Sequence, residues 1–81
     1  MSREPKRTGA PPRVVNNVVF RCYKVGIMTY EWRSEDGELV VLSNHRRSTF
    51  TAIYKGGVIG RLYRSQEKAM EAAIERRAAN K

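Results

Sequence analysis

The chain has few of the residues from which enzyme chemistry is built. Its 81 residues include one cysteine (Cys22), one histidine (His45) and one aspartate (Asp36). A single cysteine excludes an intramolecular disulfide. Cys22 lies in the apolar run VVFRCYKV, where a buried, inert thiol is the expectation. A zinc site takes about four ligands, more than Cys22 and His45 supply, so no metal is expected. A Ser-His-Asp or Cys-His relay would have to bring His45 to Asp36 or Cys22, and their spacing gives no reason for it. Glu31, Glu35 and Glu38 flank one hairpin and read as solvated charges. Gly56, Gly57 and Gly60 do not lead a strand into a helix in the pattern of a phosphate loop. The expectation is a protein that is not an enzyme, with no catalytic residues, no metal and no cofactor.

Long apolar runs are missing too. No segment approaches the length of a membrane span or of a signal-peptide core. The expected location is cytoplasmic, nucleoid-associated or nuclear if the chain binds DNA, with no membrane partner. Acidic residues are scarce: eight Asp and Glu stand against sixteen Lys and Arg, a formal charge of +8 with a pI near 10.3. Such a balance favours phosphate-rich partners. The three prolines all fall before residue 13. Residues 1–13, MSREPKRTGAPPR, join that proline density to four basic residues (Arg3, Lys6, Arg7, Arg13) and little apolar content, which predicts a disordered basic arm.

What remains, residues 14–81, reads as one small α+β domain. Its length allows one thin core. A strand is expected from about Val18 to Val25, with an irregular lead-in at Asn16 and Asn17. Residues 28–33, MTYEWR, alternate, so that Met28, Tyr30 and Trp32 share a face. Trp32 is expected in the core rather than as a base-stacking platform. Asp36-Gly37 signals a tight type I′ hairpin. Residues 38–43, ELVVLS, form the next strand, and their apolar run predicts a central position buried on both faces. TFTAIYK over 49–55 alternates again, Gly56-Gly57 turns the chain, and 58–64, VIGRLYR, return. Ser65 then caps a helix whose Glu67 and terminal Arg76, Arg77 and Lys81 suit the helix dipole. The expected fold is an antiparallel meander of four to five strands with one C-terminal helix on one face. Phe50, Ala52, Tyr54 and Leu62 are its expected contacts, with Ile53 and Ile59 facing away.

Glu67, Glu71 and Glu75, spaced four apart, put an acidic stripe on that helix. The positive charge is therefore expected on the sheet side. Arg33, Arg46, Arg47, Lys55, Arg61 and Arg64 interleave with strands and turns. With the arm residues Arg3, Lys6, Arg7 and Arg13 they are the candidate nucleic-acid contacts. An antiparallel ribbon fits the major groove of duplex DNA, where arginine can bridge guanine O6 and N7.

The segment FTAIYKGGVIGRLYRSQEKAMEAAI, within residues 49–75, resembles the three-stranded-sheet-plus-helix DNA-binding domains of the plant ethylene-response-factor type and the arm-binding domains of tyrosine integrases. The features in common are an aromatic-x-Ala strand (Phe50, Ala52), a hairpin, a strand ending in an aromatic (Tyr63) and a capped Ala-rich helix. The resemblance implies a sheet laid in the major groove with the helix behind it, and outward contacts at Thr51, Lys55 and Arg61. Strands followed by one helix also look like the back half of double-stranded-RNA-binding domains, without that family's basic run at the start of the helix.

The expected function is non-catalytic binding of nucleic acid, duplex DNA before RNA. The alternative is a protein-interaction module, a small accessory or inhibitor of the kind mobile elements encode, docking on a host protein through Val40, Ile53 and Ile59. The apolar excess on the strands is also consistent with a homodimer.

Overall fold

Apolar residues at every second position, divided by short polar turns, can bury one face of a sheet only by folding back repeatedly. The computed structural model describes residues 6–7 and 9–80, the side chains of Lys6, Arg7 and Arg61 excepted. It shows seven strands and one helix. The strands are β1 (Lys6–Arg7), β2 (Arg13–Val15), β3 (Val18–Gly26), β4 (Thr29–Ser34), β5 (Leu39–Asn44), β6 (Thr49–Tyr54) and β7 (Gly57–Tyr63), followed by α1 (Gln66–Ala79). All strands pair antiparallel in one sheet of order β1-β3-β4-β5-β6-β7, and β2 shares with β1 the outer edge of β3. The class is the expected α+β meander with a C-terminal helix, and it carries more strands than four to five.

The additional strands come from the N-terminal stretch. Asn16 and Asn17 both have positive φ, 48° and 67°, so they form a tight hairpin that sets Val15 opposite Val18 rather than an irregular lead-in. Of the stretch expected as an arm, Lys6 and Arg7 pair with Lys24 and Tyr23, and Arg13 opens β2 opposite Phe20. Residues 1–5 and 8 lie outside the described residues.

The turns differ from expectation in detail. Only Gly37 of the Asp36-Gly37 pair has positive φ, 78°, and residues 35–38 form a four-residue connection closed by the Gly37 N–H donating to the Ser34 carbonyl at 3.0 Å. The β6–β7 turn falls at Lys55-Gly56, one residue before the Gly56-Gly57 expected, with φ of 49° and 81°. Met28, φ 57°, belongs to the β3–β4 turn and not to β4.

A larger correction concerns β7. Gly60 has φ +58° and sits where the β6–β7 register shifts between Phe50 and Ala52. The bulge adds two residues to β7, an even number, so the phase set by Ile59 opposite Ala52 is kept at Tyr63 opposite Phe50. Ile59, opposite Ala52, is buried at 8% exposure, and Leu62 is 61% exposed. The expected roles of these two residues are thus exchanged.

Ser65, in extended conformation, caps α1 by accepting the Lys68 N–H at its Oγ, 3.4 Å away. Asn80 closes the other end with its backbone N–H and Nδ2 on the Arg76 carbonyl. Ala69, Met70 and Ala73 face the sheet. They meet Phe20, Leu39, Val41, Ala52 and Ile59 in a single core. The two alanines allow close approach, and Met70 fills the space between. Phe20, Leu39, Val41 and Met70 are fully buried, and each stabilises the fold by about 1.5–3 kcal/mol.

β5 is central, as expected, but it is not buried on both faces. Leu39, Val41 and Ser43 lie under the helix, whereas Val40 and Leu42 on the other face are only half-buried. β1, β2 and β3 extend the same sheet and do not fold over that outer face.

Candidate nucleic-acid interface

The meander divides the connections between two ends of the sheet. At one end lie the β3–β4 turn, the β5–β6 turn (residues 45–48) and Arg64-Ser65 leading into α1. The His45 N–H donates to the Met28 carbonyl at 2.9 Å, joining the first two. At the other end lie residues 35–38, the Lys55-Gly56 turn and the last turn of α1. The Lys55 N–H donates to the Glu38 carbonyl at 3.0 Å, and the Arg77 guanidinium bonds the Asp36 carboxylate.

The two ends differ in charge. At the helix-finish end three cations are matched with carboxylates, Arg77 with Asp36, Lys55 with Glu38 at 3.5 Å, and Arg21 with Glu35 at 3.3 Å, while Arg76 in the last helical turn is exposed. Tyr54 and Glu38 hold the Lys55 ammonium above the usual lysine range, so it stays charged. The Ser34 hydroxyl, which donates to Asp36 Oδ1 at 2.5 Å, is the largest influence holding that carboxyl below its ordinary range. The Glu38 N–H at 3.0 Å and Arg77 act in the same sense.

At the helix-start end Lys24, Arg46, Arg47, Arg64 and Lys68 are exposed. Among the described residues none of them has a carboxylate within ion-pair distance, and the only acidic side chain in the adjoining turns and first helical turn is Glu67. The turn that presents Arg46 and Arg47 is fixed by Asn44, whose Oδ1 accepts both of their backbone N–H groups at 3.1 and 3.3 Å. β1 brings the backbone of Lys6 and Arg7 to the same end, opposite Lys24 and Tyr23.

The sequence-derived contacts therefore separate. Arg46, Arg47 and Arg64 come together. Lys55 is at the opposite end, the length of β7 away, roughly 20 Å at about 3.3 Å per residue. Arg33 and Thr51 lie on the outer sheet face. Arg33 is held by Glu31 at 2.9 Å and stacks over the Tyr23 ring at 5.2 Å. Arg13 is exposed on β2. Arg3 and the side chains of Lys6, Arg7 and Arg61 lie outside the described residues. Lys24 and Lys68 were not singled out from the sequence. The signal that finds them is topological: in a meander every second turn returns to one end, so charges must be counted by end and not by strand.

The outer face carries cross-strand rows: Arg21, Arg33, Val40, Ile53 and Val58 in one, Tyr23, Glu31, Leu42 and Thr51 in the next. Its β3–β4 half is ion-paired and its β5–β7 half apolar, with Val58 and Leu62 well exposed. Among the described residues no group of three or more His, Cys, Asp or Glu side chains is placed to hold a metal ion, and no helix is long and apolar enough to cross a membrane. Comparison with protein-family models, with curated proteins and with solved structures finds no match.

Proposed function

We propose that this chain is a non-catalytic nucleic-acid-binding protein that holds the phosphate backbone at the helix-start end of its sheet. The observation that carries the reading is the asymmetry of charge. Lys24, Arg46, Arg47, Arg64 and Lys68 gather at one end without carboxylate partners, while at the other end Arg21, Lys55 and Arg77 are matched and Arg76 is not. Unpaired, exposed cations around one end are available to displace counterions from a polyanion. This reading moves the contact away from the hairpin Lys55 and from the outer face, where Arg21 and Arg33 already have carboxylates.

Mobility shifts with duplex DNA, single-stranded DNA and RNA at two salt concentrations test it. Binding at about 0.1 M salt should weaken with salt. Replacing Arg46, Arg47 and Arg64 by Gln should weaken it further and reduce the slope of log K against log salt by about one unit per lost phosphate contact. Lys55→Gln should change little. Equal losses from Lys55 and from the arginine set would count against this placement.

The exposed apolar half of the outer face favours a second reading, a protein-interaction module that buries Val40, Ile53, Val58 and Leu62 against a partner. Absence of binding to every nucleic acid, with a well-folded protein, would promote that reading.

A further inference from the structure

On its inner face the sheet is covered unevenly. α1 packs on β5, β6 and β7, and leaves much of the β3–β4 side open. A cleft of about 250 Å³ remains there, lined by Ala10, Cys22, Tyr30, Trp32, His45 and Gln66. Tyr30 and Trp32 are two residues apart on β4 and present side by side. The His45 ring tilts against Tyr30 with centroids 4.9 Å apart. Gln66 opens α1, and its Nε2 is buried without a hydrogen-bond partner among the described residues, a costly state for an amide donor. The rim is cationic. Lys24 stands opposite Tyr30, Arg46 and Arg47 follow His45, and Arg64 and Lys68 bracket Gln66 in sequence.

We propose that this cleft receives one unstacked base of a single-stranded nucleic acid, while the cationic rim holds the phosphates on either side of it. The proposal rests on the nucleic-acid reading above. Aromatic walls stack any base, for about a tenfold gain in affinity or more. The volume is below the roughly 300–1,000 Å³ of sites for drug-sized ligands, and so suits one ring system. A base brings carbonyl and ring-nitrogen acceptors for the Gln66 amide, which an aliphatic occupant lacks. The rim excludes a cationic ligand and favours one flanked by phosphates. A base inside a duplex is stacked on both faces and cannot enter.

Trp32 is the only tryptophan, so its emission reports on the cleft. The test titrates the protein with a short single-stranded oligonucleotide, an abasic sugar-phosphate chain of equal length, and the duplex, at about 0.1 M salt. Trp32 emission and the anisotropy of the labelled strand are read together. The intact single strand should quench Trp32 and bind about tenfold tighter than the abasic chain. The abasic chain should bind without quenching. Ala10→Phe, at the exposed mouth, and Gln66→Leu should each abolish quenching and bring the intact strand down to the abasic affinity, with unchanged circular dichroism. Equal affinity for intact and abasic strands without quenching would overturn the base site and leave the phosphate-binding reading standing. Loss of binding by all three ligands would remove both.

Discussion

Asp36 shows how much one side chain can join. Its Oδ1 accepts from the Ser34 hydroxyl and the Glu38 N–H, Ser34 Oγ in turn accepts the Leu39 N–H at 3.0 Å, and Oδ2 takes Arg77 from the last turn of α1. One carboxylate thus orders the β4–β5 connection and pins the helix to it. Asp36→Ala should destabilise the fold by about 1–2 kcal/mol in denaturant unfolding, since it frees the Ser34 hydroxyl and the Glu38 N–H and releases Arg77. Asp36→Asn, which keeps an acceptor, should cost less. The carboxyl lies below its ordinary range in the folded protein. Its contribution is therefore fully present above the unfolded value, near 3.9, and is lost as pH falls through the folded value. Thermal unfolding should show a loss of stability below about pH 4 that is weaker in Asp36→Asn. The side chain is 46% exposed, and solvent screening keeps the effect modest.

The elements follow from alternation wherever alternation is unbroken. β4 and β6 alternate and were legible, as was α1 from its cap, its acidic first turn and its small apolar face. β5 was legible as a central strand, but its continuous apolar run implied burial on both faces where only Leu39, Val41 and Ser43 are buried. The Asn16-Asn17 hairpin was less legible because two asparagines in succession take positive φ without the glycine that usually announces such a turn. β7 was misread for a physical reason: its face is fixed by the register of the hairpin, which sets Ile59 opposite the buried Ala52, and the two residues that the bulge adds beyond it leave that phase unchanged at Tyr63. The corrected phase makes a sharp prediction. Ile59→Ala should cost about 2–5 kcal/mol, and Leu62→Ala should stay within about 0.5 kcal/mol, in equilibrium unfolding. The uncorrected phase demands the reverse order. Gly60→Ala should cost about 1–2 kcal/mol from left-handed strain alone, because the nearest atom to an added Cβ, Tyr63 Oη at 3.8 Å, leaves room for it. The candidate site was half legible. Arg46, Arg47 and Arg64 were named from their turns, while Tyr30, Gln66 and Lys68 become neighbours only through the path of the helix across the sheet.

At the scale of the whole molecule, the cationic end and the apolar outer face are separate surfaces and should respond separately. Val58→Lys with Leu62→Lys adds charge at exposed positions, and each change should move stability by less than about 0.5 kcal/mol. Nucleic-acid affinity should hold or rise slightly, with the rise disappearing at high salt. Any self-association seen by sedimentation of the unmodified chain should vanish in this variant. The pairing order has a further consequence, in time rather than in space. From β3 to β7 each strand lies beside the one made just before it, so every pairing can form as soon as its hairpin emerges, with short loops to close. The helix is made after all the strands it covers. Until residue 79 is available, Phe20, Leu39, Val41 and Ala52 have no cover, and the nascent chain displays an assembled sheet with a bare apolar surface. Synthesis therefore passes through a stage in which completion of α1 decides between a native fold and capture by another exposed surface.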